Sequence, residues 1–266
     1  MSKNARRLGS VACGLVICGI AVWAQSSLGT AESFAVLAGS TVTNTGASVI
    51  TGDLGVSPGS AVTGFPPGVV VGTIHAADAV ALQAQNDLTT QYNALTAAAC
   101  SANLTGQDLG GMTLTSGVYC FDSSAQLTGT VTLNAQGNPN ATFIFKTGST
   151  LTTASGSSVL LINGGNPCGV AWRIGSSATL GTTTSFIGNL IALTSITLTT
   201  NANILGGRAL ARNGAVTLDS NNITFAPCSI TPPPPVPTLA EWAMIGLAGL
   251  LFLAGTFALR QRRRTV

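Results

Sequence analysis

The sequence predicts an all-β-dominated fold, a β-solenoid with one long α-helix lying along it, followed by a C-terminal transmembrane helix. Three observations carry this reading. Near-identical eleven-residue segments recur: "FIFKTGSTLTT" from Phe143, "WRIGSSATLGT" from Trp172, "LIALTSITLTT" from Leu190 and "LARNGAVTLDS" from Leu210. A single stretch, "IHAADAVALQAQNDLTTQYNALTAAA", replaces this pattern with a helical one. The chain ends on eighteen uncharged residues, "WAMIGLAGLLFLAGTFAL", followed by "RQRRR".

The N-terminus comes first. Residues 1–24 combine Lys3, Arg6 and Arg7 with an apolar run and small residues before Gln25. This is the layout of a secretory signal peptide cut after Ala24, and the apolar run is short for a membrane span. The exported domain is then 25–229.

In all four repeats the eighth residue is Thr and the ninth is Leu, and weaker copies start at Phe34 and Tyr119. A repeat near twenty residues, rich in Thr, Val, Ile, Leu and Gly, signals stacked β-coils. Each coil pairs with the next, and the inward side chains form a core that no single coil can bury. Strand alternation orients the side chains. Leu151, Leu180, Leu198 and Leu218 are expected to face inward. Thr150, Thr152, Thr179, Thr197, Thr199 and Thr217 are expected to face outward, with Gly181 and Asp219 interrupting the column that holds Thr199.

The helix is expected over about 75–98. Val80, Ala84, Leu88, Tyr92 and Leu95 form one apolar stripe at steps of three and four, so the helix covers one side of the solenoid. His75, the chain's single histidine, is expected to cap or pack at the helix start.

Four cysteines remain after export: Cys100, Cys120, Cys168 and Cys228. An even count in an exported domain suggests two disulfides, with three possible pairings. Short closure favours Cys100–Cys120, which leaves Cys168–Cys228. Their spacing does not suit zinc.

Composition excludes several functions. The chain is 45% hydrophobic and 7% charged, which is not the composition of a disordered protein. Between Gln25 and Pro235 it has four basic residues, Lys146, Arg173, Arg208 and Arg212, against seven acidic ones. A nucleic-acid partner would need a basic patch, so none is expected. Asp53, Asp108, Asp122 and Asp219 are scattered rather than clustered with a base. Neither an enzyme nor a cofactor is therefore expected.

Residues 230–241 contain "PPPP", a stiff extended spacer. Residues 242–259 are long enough nearly to cross a hydrocarbon core, and the basic end, 260–266, places that end in the cytoplasm. The domain is thus expected outside the cell, anchored unless processed.

The tail "VPTLAEWAMIGLAGLLFLAGTFALRQRRR" resembles bacterial sorting signals of the IPTL-CTERM type, with Val236 where that family usually has Ile. The resemblance implies recognition by a membrane sorting peptidase. The exported domain resembles the ice-binding-like family DUF3494, through "FAVLAGSTVTNTG", "ITGDLGVSPG", "GTIHAADAVALQAQNDL", "GVYCF" and "GSSATLGTTTSFIGNLIALTSITL" in order. The resemblance implies a discontinuous right-handed β-helix of triangular cross-section, a helix packed along one face, and a flat face that binds an ice crystal surface. Some members carry a Thr-Ala/Gly-X-Thr/Asn pattern there, and "TGAS" at Thr45 and "TASG" at Thr153 keep its first half. On this reading the outward threonines contact ice. The alternative is a non-catalytic adhesion or matrix protein on the same fold.

Overall fold

The computed structural model describes residues 28–225. The signal peptide, Cys228, the proline-rich linker, the apolar segment and the basic tail lie outside them. Among the described residues, no helix is long and apolar enough to cross a membrane.

Almost every strand pairs in parallel with the equivalent strand one coil away, and the coils stack into three faces. One face is a seven-stranded sheet. Its strands stack in the order Ala125–Leu127, Leu151–Thr153, Ala178–Leu180, Ile196–Leu198, Val216–Asp219, Thr41–Thr45 and Ala61–Thr63. The second face includes Gly117–Phe121, Phe143–Thr147, Val170–Ile174, Phe34–Ala38 and Asp53–Val56. The third includes Thr130–Asn134, Ser158–Ile162, Asn222–Thr224, Val49–Thr51 and Val69–Val71. The long strands Ser185–Ala192 and Asn203–Ala211 run from the third face into the second, bending near Gly188 and Gly206.

Coil order differs from chain order. The N-terminal strands stack on the last coil: Val36 pairs with Ala209, Thr43 with Thr217 and Ile50 with Ile223. The solenoid therefore ends on the coil 53–76, not on the last-made coil.

Inside, alternation sends one residue in two to a common core. Leu151, Leu180, Leu198 and Leu218 are all buried, as the repeat predicts. Aromatic rings from successive coils stack on one another. Tyr119 lies 5.5 Å from Phe145, Phe145 lies 3.8 Å from Trp172, and Trp172 lies 4.9 Å from Phe186. The Trp172 indole N–H donates to the Ile187 carbonyl, so its polar atom is satisfied.

The helix spans Ala79–Ala97, a shorter start than the sequence suggests. Ile74–Ala76 is instead a strand paired with Asp53–Val56. Asp78 is the N-cap, its carboxylate accepting from the Ala81 N–H at 2.8 Å. His75 packs against Phe34 and bonds the other Asp78 oxygen at 2.7 Å, steadying the cap. The buried stripe is Ala81, Ala84, Leu88, Tyr92 and Leu95, against Phe34, Leu37, Ala171, Ile191 and Leu210. Val80, expected in this stripe, is 47% exposed. Steps of three and four to Ala84 fit Ala81 and Val80 equally, so periodicity alone could not choose between them.

The second face is also where the cations go. Arg173 and Arg212 lie over the Tyr92 ring, at 4.5 and 4.7 Å from its centroid. The Lys146 ammonium donates to the Thr96 and Ala98 carbonyls at the helix C-terminus, where a cation complements the helix dipole. Burial, with the nearby Arg173 charge, holds its pKa below the ordinary lysine value. Arg208 is fully buried and donates to the Glu32 carbonyl and the Asn189 amide oxygen, and burial pushes its pKa down to about 10. Cys100 and Cys120 form a disulfide with Cα atoms 5.8 Å apart, tying the residues after the helix to this face. Cys168 is disulfide-bonded as well. Cys228, the partner expected for it, lies outside the described residues.

Candidate functional site

The seven-stranded face is built by one rule. In Ala125–Leu127, Leu151–Thr153, Ala178–Leu180 and Ile196–Leu198 the flanking side chains point inward and the middle one points out, whereas in the end strand Ala61–Thr63 the middle residue, Val62, packs against the core and Thr63 follows it. The registers pair Gln126 with Thr152, Thr152 with Thr179, Thr179 with Thr197, Thr197 with Thr217, Thr217 with Thr43 and Thr43 with Thr63. Six threonines from six successive coils therefore stand in one row, about 4.8 Å apart as parallel strands require. None of the six is buried. Thr43 donates to the Thr217 hydroxyl at 3.4 Å.

The six threonines expected to face outward all lie on or beside this face, with one change of register. The repeat aligns Thr150 with Thr179, but the structure aligns Thr152 with Thr179. The slip is two residues. Because strand side chains alternate with period two, such a slip changes column and preserves the inward–outward phase. Thr150 thus belongs to a flanking position, where its hydroxyl donates to Ser124 at 2.9 Å. Thr199 follows the row on the other flank, donating to the Leu180 carbonyl at 2.8 Å and lying 3.4 Å from the Thr182 hydroxyl.

Two row members were not foreseen, Thr43 and Thr63. The faint copy at Phe34 places Thr41 at the repeat's eighth position, whereas the structure aligns Thr43 with Thr217, the same two-residue slip as at Thr150. The place of Thr43 beside Thr217 follows from the out-of-order stacking, which the repeat spacing does not show. The "TASG" segment is a further correction. Its Thr153 is buried, 2.8 Å from the Thr184 hydroxyl, so its pattern does not describe the surface here.

The corner between this face and the third is as regular as the sheet. Six coils turn it with one residue of left-handed backbone: Gly129, Gly156, Thr183, Asn201, Ser220 and Gly46, with φ from 56° upward in every case. The N–H of Gly156, Thr183, Asn201 and Ser220 donates to the carbonyl of Thr182, Thr200, Asp219 and Thr45 in the next coil. Backbone bonding therefore continues from sheet to corner, which makes the face stiff.

Charge is nearly absent. Asp108 bridges to Gln126 at one end of the row. Asp219 sits at the corner, accepting from the Thr200 hydroxyl. Lys146, Arg173, Arg208 and Arg212 are all engaged on the opposite side of the core. Among the described residues no group of His, Cys, Asp and Glu is placed to hold a metal ion. The face offers methyls, hydroxyls and a fixed spacing, and no nucleophile, acid–base pair or deep cleft.

Residues 36–224 match the family profile described as Ice-binding-like. An ice-binding protein of Nostoc sp. (strain HG1) is 59% identical over 233 residues, spanning 85% of this chain and 86% of the relative. One from Flavobacterium frigoris (strain PS1) is 32% identical over 214 residues, spanning 75% and 76%. The crystal structure of an ice binding protein from an Antarctic biological consortium matches with a TM-score of 0.73 at 51% identity, over 75% of this chain and 90% of that one. The ice-binding protein of the Antarctic ascomycete Antarctomyces psychrotrophicus matches with a TM-score of 0.73 at 42% identity, over 75% and 98%. With a family profile covering nearly all the described residues, and relatives sharing most of its length, this chain belongs to the ice-binding-like family.

Proposed function

We propose that this protein binds ice, and that it does so through the seven-stranded face. The observation that carries the reading is the row Thr152, Thr179, Thr197, Thr217, Thr43 and Thr63 on a rigid sheet, with no charge inside the row. Each methyl presents apolar surface and each hydroxyl anchors a water molecule. Held at strand spacing, the waters are ordered with little further loss of entropy, the general benefit of preorganisation. A hydrated charge in the row would disturb that layer. The relatives' names point the same way.

The test is Thr197→Tyr. Thr197 lies mid-row between Thr179 and Thr217 and faces outward. A tyrosine there stands above the plane and holds neighbouring methyls away from ice. Recrystallisation inhibition should fall to a small fraction while the melting temperature stays near wild type. Full inhibition by the folded variant would remove this face from the reading.

The reading extends to location. Residues 1–24 would direct export, and 242–259 with the basic end would hold the domain outside the membrane until a sorting peptidase acts. The sequence of those segments and the Cys100–Cys120 disulfide support it, since disulfides persist in oxidising compartments. Replacing Leu250 and Leu251 by Asp should release the domain into the medium, because a charge costs about 3 kcal/mol at the centre of a spanning helix. Retention of that variant in the membrane fraction would refute the anchor.

A further inference from the structure

One corner residue departs from its equivalents. Thr183 has φ 57°, in the left-handed region. A β-branched side chain is a genuine outlier there, and such strain persists where something else maintains it. The equivalent positions in other coils are Gly129, Gly156 and Gly46, with Asn201 and Ser220 in the remaining two. Glycine has no Cβ to strain, and asparagine tolerates this conformation better than most residues.

Packing does not explain the threonine. Thr183 is exposed. Its N–H donates to the Thr200 carbonyl at 3.0 Å, a bond any residue but proline would make. Its hydroxyl donates to the carbonyl of its own neighbour, Thr182, at 2.7 Å. That bond holds the side chain in one orientation. The adjoining buried residue, Thr184, is fixed from inside by Thr153. The strained residue is thus a rigid, solvent-facing threonine on the ridge, next to exposed Thr182 and Thr200.

We infer that Thr183 contacts ice, and that the ice-recognising surface continues from the flat face over the corner through Thr182, Thr183 and Thr200. This rests on the reading that the flat face binds ice. Function would then maintain the strained residue where the fold alone would favour glycine or asparagine. A surface that turns a corner meets ice at more than one inclination, so the ridge threonines would widen the set of crystal planes the domain recognises.

Three variants of the exported domain test this. Thr183→Gly removes the methyl and hydroxyl and installs the residue that Gly156 supplies one coil away. Its recrystallisation inhibition should be several-fold weaker, with an unchanged circular dichroism spectrum. Thr183→Asn installs the residue of the coil on the other side and should melt at or above the wild-type temperature. Thr197→Tyr reports on the flat face. Loss of inhibition in Thr197→Tyr with full inhibition in folded Thr183→Gly would overturn the corner proposal and leave the flat-face reading intact. Full inhibition in both would overturn both. A lower melting temperature for Thr183→Asn would overturn the strain on which the assignment of Thr183 rests.

Discussion

The seven-stranded face and the third face are made by the same coils, carry the same parallel registers and lack charge in their outward rows. They differ in what stands on them. The first presents six threonines of equal height. The third mixes Leu160, Leu205, Val49, Val69 and Val71, each 39–57% exposed, with shorter residues such as Ser185 and Thr51. If the threonine face is the one that binds ice, as proposed, backbone spacing is not what distinguishes it. Uniform side-chain height is the difference: within one face, a flat layer of water needs its contact points at one level, and leucine beside serine does not provide that.

The largest expected effect sharpens this contrast. Thr197→Tyr should abolish most recrystallisation inhibition, whereas Leu205→Tyr on the third face should leave it unchanged. If Leu205→Tyr were the damaging variant, the two faces would exchange roles. Next is Leu198→Ala, one residue from Thr197 and buried. It should lower stability by about 2–5 kcal/mol through the cavity it leaves, measured by chemical denaturation. Stability falling in Thr197→Tyr and not in Leu198→Ala would mean the inward–outward phase is reversed.

A smaller effect separates the threonine face from the helix. The Ala81 N–H and then His75 hold the Asp78 carboxyl below the usual carboxylate range. The Thr30 N–H and hydroxyl do the same for Asp87. A depressed native pKa contributes stability above the unfolded value, about 3.9, and that contribution is lost as pH falls through the native value. The row of six threonines contains no titrating group. Acidification below about pH 4 should therefore loosen the helix start first. Amide exchange should speed up at Ala81 while the strand amides around Thr197 stay protected. Simultaneous loss of both would show that helix and sheet open as one unit.

These particulars show how far the sequence was legible. Strand alternation and the Thr-Leu repeat identified the face, the inward leucines and the outward phase, because period two is insensitive to a slip of two residues. The same insensitivity hid the true column of Thr152. The helix was visible as a stripe, but its start was not, since Ile74–Ala76 has the composition of a helix flank and is recruited as a strand by Asp53–Val56. Thr43 was missed because its neighbour Thr217 lies almost a whole domain away in the chain, and Thr63 because it joins the row only through Thr43. Thr183 was missed because a backbone angle leaves no mark on composition.

That long separation has a consequence in time. Phe34–Ala38 and Thr41–Thr45 are among the first strands to be synthesised, yet on one side their partners are Asn203–Ala211 and Val216–Asp219, among the last. The earliest part of the surface must wait, with a strand edge unpaired, until the chain is nearly complete. A ribosome that stops short of Asn203 leaves Thr43 and Thr63 with no row to join, so the domain acquires its full surface only at the end of its own manufacture.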